Sequence, residues 1–478
     1  MTARLVPVLG VLASCGAPSI GDGASATGTR GDSTGVGTAA SDRTADTAAT
    51  IGDGSEKLDI GGGSWPPPSD PDLVDVLVVI ENTAEMAAMQ ARFAQTAMSL
   101  VRRLHAVPDS CMTPRVMDAQ IMFTTTDAGH ALCDPPRGYS PAFGAPTVAG
   151  CNARIEEFGE APTICTALCP TDVVPSDPFI AFSDTTTNIE RRRWVDVDGD
   201  GELDSPAAQA AACLAPVGLR GCAYASPLEA MRRALDPDAA WNQGTRPFLR
   251  PDAALLIVTV GDGLDCSLAD PSVGENPRFM EAHPDTGEPT PSLASCWNAG
   301  VVCDRPDADG VHGSCAPAGA DTLVQTSSYA EFLAELGAAK NVFMAPFSGV
   351  PAVTAHAAES PYLPEEGGVA SLVYRTVADA RYPEGDLLPS DIEAGLTAAH
   401  KQFEHGIGPG CAGEGADGLL FQATPDPRTI SVCQSLNVKD DENGGGRCCV
   451  ESICDPDQGS DALCMLGMLA ATSFVTCR

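Results

Sequence analysis

Basic residues are scarce in this chain: Lys and Arg total 28 against 64 Asp and Glu, a formal net charge of −36. A surface so acidic repels nucleic acid and anionic headgroups, and no basic cluster offsets it, so nucleic-acid binding is excluded. Zinc knuckles are missing as well, because no C-x-x-C pair occurs and Cys165 to Cys169 is the nearest spacing. Hydrolase signatures are also lacking. There is no H-E-x-x-H, and the seven His are scattered; His400 and His405 stand five apart and share no helical face. The apolar run at the start, Met1 to Leu12, is far too short to span a bilayer.

What is present begins with an address. The short apolar run after Arg4 reads as a secretory signal, residues 1–14, and Leu12-Ala13-Ser14-Cys15 reads as a lipobox with Cys15 as the lipidated residue. Gly16 rather than Asp follows the Cys, which points to an outer-membrane or cell-surface lipoprotein attached to the membrane through its lipid alone. Residues 15–70 are rich in Gly, Ser, Thr and Asp and cannot bury enough apolar surface to order themselves. As a coil they reach about 40 Å. Arg30-Gly31-Asp32 and the G-x-S-x-G pattern from Gly31 to Gly35 lie inside this tether and read as accidents of composition, since no strand or helix flanks them. Of 19 Cys, 18 remain once Cys15 is set aside, an even number suited to disulfides in an oxidising compartment. Eleven lie between Cys111 and Cys315 and seven between Cys411 and Cys477, so full pairing requires at least one bridge between these segments.

The folded body is organised around Val74 to Leu104. Val74 to Ile80 is an almost continuous β-branched run, as a parallel strand covered on both faces demands. Met86, Met89, Phe93, Ala97, Leu100 and Leu104 then recur at helical spacing on one stripe. Val116 to Thr126 reads as the second strand, and an irregular, cysteine-bearing insertion follows at about 128–219. Inside it, Asp196, Asp198, Asp200 and Asp204 stand at loop positions 1, 3, 5 and 9, with Gly201 at 6 and Glu202 beside it, matching most of a calcium loop; Ala207 replaces the acid at position 12. A second acidic loop, Asp304 to Gly310, reads as turn chemistry. Ser226-Pro227 reads as an N-cap and first position of a helix bearing Leu228, Met231 and Leu235. Ala253 to Val260 is the most apolar run and hence a central strand; a second insertion extends to about residue 325. A helix around Tyr329 to Leu336, a strand Asn341 to Phe347 and a helix Asp391 to Phe403 follow. The expected fold is a doubly wound, mainly parallel α/β domain over residues 71–405, with insertions at about 128–219 and 263–325, and a Cys-rich C-terminal segment, 406–478, tied to the body.

The turn Glu81-Asn82-Thr83-Ala84-Glu85-Met86 resembles the metal-binding turn of von Willebrand factor type A domains, and more closely that of the diverged type A domains of myxobacterial-type surface lipoproteins, where DNSGSM is usual. Gly221-Cys222 through Leu235 and the strand ending Asp262, then Asp265-Cys266-Ser267, resemble further segments of the same family. The resemblance implies a diverged adhesion-type metal site from Glu81, Thr83, Glu85, Ser226 and Asp262, holding Ca2+ or Mg2+. With three carboxylates a divalent ion is left at net −1, so the site is expected to be metal-free or closed and to reject acidic ligands. The implied function is non-catalytic contact with an envelope protein or extracellular-matrix ligand, Ca2+ serving stability. A purely structural envelope protein and a metal-dependent hydrolase are the alternatives.

Overall fold

Strand β1, Leu73–Ile80, is buried along almost its whole length. Its side chains alternate between two cores, Val74, Val76, Val78 and Ile80 on one face and Leu77 and Val79 on the other, so both faces carry helices. Each fully buried Val, Leu or Ile contributes about 1.5–3 kcal/mol of transfer free energy. The computed structural model of this chain describes residues 70, 72–108, 114–133, 139–190, 193–270, 279–319, 322–352, 372–415, 418–437, 446–455 and 464–469. The signal segment, Cys15 and the tether up to residue 69 lie outside these residues.

After a 3-10 turn at Ala84–Met86, helix α1 spans Ala87–Leu104 and buries Met89, Phe93, Ala97, Leu100 and Leu104, the stripe read from the sequence. Strand β2, Asp118–Thr125, lies parallel to β1. The first insertion holds two elements its sequence had not revealed. Strand β3, Ile180–Phe182, pairs antiparallel with β2, and helix α2, Pro206–Leu214, is buried throughout. The Ala-rich α2 has no polar face and hence no helical period; its signal was Ser205, whose hydroxyl accepts from Ala208 N, followed by Pro206.

Helix α3, Pro227–Ala234, leads to strand β4, Ala254–Val260, parallel to β1 on the side opposite β2. Helices α4, Ala294–Gly300, and α5, Thr326–Gly337, precede strand β5, Val342–Ser348, parallel to β4. The helix expected from Asp391 to Phe403 is broken in two. A turn at Pro389–Glu393 ends at Gly395, whose φ of +77° is left-handed, and helix α6, Ala398–His405, restarts behind Thr397. A hairpin of Cys411–Glu414 and Leu420–Ala423, helix α7, Pro427–Gln434, and strand β6, Glu451–Ser452, follow; β6 pairs parallel with β5.

The sheet order is β6-β5-β4-β1-β2-β3, five strands parallel and the β3 edge antiparallel. Residues 464–469 are helical, and Met465, Met468 and Leu469 pack in the core that contains α1 and α2. Thus the Cys-rich C-terminal segment supplies a sheet strand and core side chains.

Eight disulfides are described. Cys133–Cys222, Cys151–Cys165 and Cys169–Cys213 staple the first insertion. Cys266–Cys296 and Cys303–Cys315 staple the second, and Cys411–Cys454, Cys433–Cys448 and Cys449–Cys464 the C-terminal part. Such density fits an exported protein. The bridge that parity demands between the two halves is left to Cys111 and Cys477, which fall outside the described residues. No described helix is long and apolar enough to cross a membrane.

Candidate functional site

The chain runs from β1 to one side of the sheet, through β2 and β3, and from β4 to the other, through β5 and β6. The carboxyl ends of β1 and β4 therefore flank the point where strand order reverses, and the turns leaving them diverge to leave a crevice. Glu81 follows Ile80 on β1, and Gly261-Asp262 follows Val260 on β4. A backbone bond and a side-chain bond join the two turns: Glu81 N donates to Val260 O at 2.8 Å and Asp262 N to Glu81 Oε2 at 3.1 Å. Gly261 leaves room for this approach, since a Cβ there would stand 2.7 Å from Glu81 Oε2 and displace the carboxyl.

Gln90, buried on α1, fixes the turn from below. Its Nε2 donates to Glu81 O and to Gly218 O, both at 2.8 Å, and its Oε1 accepts from Val217 N at 3.1 Å. Sequence reading passed over this residue. The available signal was an amide standing between the apolar positions Met89 and Phe93.

The crevice is a cavity of about 390 Å³. Glu81, Thr83, Glu85 and Asp262 line it from the sheet, as the sequence expected. Asp391, Lys401, Glu404 and His405 line it from α6 and the turn before it. These last four were not foreseen, because the segment after Pro351 carries no recognisable motif and reaches the cavity only through tertiary packing. Thr424 clamps that segment down, its N and Oγ1 both donating to Asp262 O, at 2.7 and 3.1 Å. Leu264, Leu396, Ile407 and Phe421 give the cavity an apolar wall.

Charge in the cavity is one-sided. Lys401 Nζ is spent on Asp391 Oδ2 at 2.8 Å, on Asp386 O and on Gln422 Oε1. Burial, with Lys401 nearby, pushes His405 down to about 4, so its ring is neutral. No Lys or Arg among the described residues makes an ion pair with Glu81, Glu85, Asp262 or Glu404. Burial, reinforced by Asp262, lifts Glu81 far above the usual carboxyl range; burial, reinforced by Glu85, lifts Asp262 to about 7. At neutral pH the Glu81 and Asp262 carboxyls together therefore retain a proton. Thr83 is 4 % exposed, and its hydroxyl has no hydrogen-bond partner among the described residues.

Ser226 differs from its expected role. It is buried but does not line the cavity, and its hydroxyl makes only a 3.5 Å contact to Tyr224 O. Nor does it cap α3. The N-terminal amides of that helix go instead to Asp265 and Ser267: Leu228 N donates to Asp265 Oδ1 at 3.2 Å and Glu229 N to Ser267 Oγ at 3.1 Å. The Asp265 carboxylate makes a charge-assisted bond to the first of these amides, and Ser267, whose hydroxyl donates to Asp265 Oδ1 at 2.6 Å, is placed to take the second. Asp265 is in turn held by Arg428 Nε at 3.1 Å, and both residues are fully buried.

The acidic loop lies apart from this cavity, beside α1 and α2. Carboxylate oxygens of Asp196, Asp198 and Asp200 come within 4.8 Å of one another. Asp196 accepts from Gly199 N and Gly201 N, and both glycines have positive φ, so the loop turns tightly back on Asp196. Its counter-cation is Arg102 from the last turn of α1. Nε pairs with Asp204 at 2.6 Å, Nη1 with Asp200 at 2.7 Å and Nη2 with Asp198 at 3.0 Å. Glu202 is exposed, Asp204 is fully buried and Ala207 sits in the first turn of α2. In the weaker acidic loop, Asp307 Oδ1 simply accepts from Asp309 N and Val311 N.

Glu81, Glu85 and Asp262 are not among the described groups whose donor atoms converge within 4.8 Å. No family model matches this chain, and no curated protein matches it.

Proposed function

We propose that this chain is a lipid-anchored cell-envelope protein whose body is a diverged von Willebrand factor type A-like domain, binding a protein or matrix ligand through the carboxyl end of its sheet and performing no chemistry. The observation that carries this reading is the convergence of Glu81, Thr83, Glu85 and Asp262, from two turns 181 residues apart, on one cavity where strand order reverses. The one-sided charge favours ligands that present a basic group. Cross-linking alone also suits a purely structural envelope protein; the buried Thr83 hydroxyl without a partner among the described residues, and carboxyls with no Lys or Arg paired to them there, cost stability and favour binding instead. Calcium belongs in this reading at the Asp196–Asp200 loop, where the donor spacing fits a hard cation and Arg102 is its competitor.

Two experiments test it in cells producing the full chain. Cys15→Ser should move the protein from the membrane fraction to the soluble fraction. Attachment of such cells to a matrix-coated surface should drop in the Glu81→Gln/Asp262→Asn double variant. Unchanged attachment by a folded double variant overturns the reading of the cavity as the ligand site.

A further inference from the structure

We infer that the sheet-end cavity is a binding site for a small organic cation, an ammonium or guanidinium group carried on an apolar body. This inference rests on the proposal that the cavity is the ligand site, and it names the chemistry of what enters.

Size is the first argument. A divalent ion demands six or more oxygens gathered at about 2.0–2.6 Å. Among the described residues no three of the carboxyls here bring oxygens within 4.8 Å of one another, and the cavity of about 390 Å³ lies within the volume range of small-molecule sites. Shape and polarity agree. Glu81, Asp262 and Thr83 form the polar end, while Leu264, Leu396, Ile407 and Phe421 offer an apolar wall. An ammonium carries three donors and no acceptor, which matches two carboxyls and the Thr83 hydroxyl left without a partner among the described residues.

The remaining charges reinforce the choice. Glu85 is exposed and Glu404 half-buried, so they add negative potential to the cavity. Lys401 is neutralised by Asp391, and His405 is uncharged, so no cation among the described residues competes for the polar end. A ligand cation favours the ionised form of both inner carboxyls. Binding at neutral pH therefore releases the proton they hold.

The test is isothermal titration of the full chain with agmatine and cadaverine, and separately with CaCl2, at pH 7 in two buffers of different ionisation enthalpy. The expected result is one-to-one binding of at least one organic cation, with proton release visible as a buffer-dependent heat. Affinity should fall about tenfold or more in Asp262→Asn and in the exposed-site variant Glu85→Gln. Leu396→Trp, which fills the apolar half, should abolish organic-cation binding and leave calcium binding unchanged. Calcium binding that is lost on Asp262→Asn, with no organic cation bound at millimolar concentration, overturns this inference while preserving the cavity as a ligand site. Organic cations that bind equally well to wild type and to Leu396→Trp also overturn it. Failure of the broader reading shows separately, as attachment that survives the Glu81→Gln/Asp262→Asn substitutions.

Discussion

Single residues in this chain carry unusual electrostatic cost. Arg428 and Asp265 are both fully buried and paired, and Arg428 Nη1 has no partner among the described residues. Arg428→Met leaves the Asp265 carboxylate buried without its cation, and unfolding by urea should show a loss of about 3–5 kcal/mol. The raised carboxyls set a pH dependence. Asp262 and Asp426 stand at about 7, each lifted first by burial, and Glu81 is raised as well. The folded chain thus holds protons that the unfolded chain, with ordinary carboxyl values near 4, has released. Stability from these groups is fully present below the unfolded value and is lost as pH rises through the folded one. His105, His130 and His405, pushed down by burial, act in the opposite sense, but only below their unfolded value of about 6.5. Between pH 6.5 and 8 the carboxyls act alone, so Tm should fall across that window, and Asp262→Asn should flatten the slope in scanning calorimetry. A Tm that climbs over the same range contradicts this assignment.

At the scale of elements, the acidic loop and α1 form one unit. Arg102 closes the last turn of α1, where a cation faces the negative helix end, and the same guanidinium holds Asp198, Asp200 and Asp204. These pairs hold it firmly in its charged form. Removing it should make the loop dependent on metal. In chelator, Arg102→Gln should melt earlier than wild type, since the buried Asp204 loses its partner at a cost of about 3 kcal/mol. Added calcium should restore the variant's Tm while changing wild type less. Equal calcium responses in both proteins show that Arg102 and the ion do not share a site. Helix α3 illustrates the converse. Ser226→Ala should shift Tm by no more than about 0.5 kcal/mol's worth, because Asp265 and Ser267 already satisfy its N-terminal amides.

For the whole molecule, cross-links and the sheet cooperate. Five bridges lie in the two insertions, and three secure the segment that supplies β6 and the cover over the cavity. Each is worth about 2–4 kcal/mol through the entropy it removes from the unfolded chain. Parity leaves Cys111 and Cys477, so peptide mapping without reductant should recover those two cysteines in one linked peptide. Recovery of either as a free thiol breaks the nine-bridge count. Such a bridge would link the chain just after α1 to its C-terminal end.

The sequence by itself determined the parallel strands and the principal helices, because period 2, period 3.6 and long β-branched runs are local consequences of burial on one face or two. It also placed Glu81, Thr83, Glu85 and Asp262 at the ends of β1 and β4, since strand ends are where apolar runs stop. It did not disclose α2, which is buried on every side and so has no polar period, or β3, too short to show alternation. Ser226 stands at the N-cap position that a hydroxyl before a Pro signals, but Asp265 and Ser267, 37 and 38 residues beyond the amides they hold, win those amides through the fold. Only the tertiary structure brought Lys401, Glu404 and His405 over the sheet and set Arg102 among the acids of its loop. Those pairings join residues about a hundred to three hundred positions apart, and no local pattern records which distant charge closes a cavity or neutralises a loop.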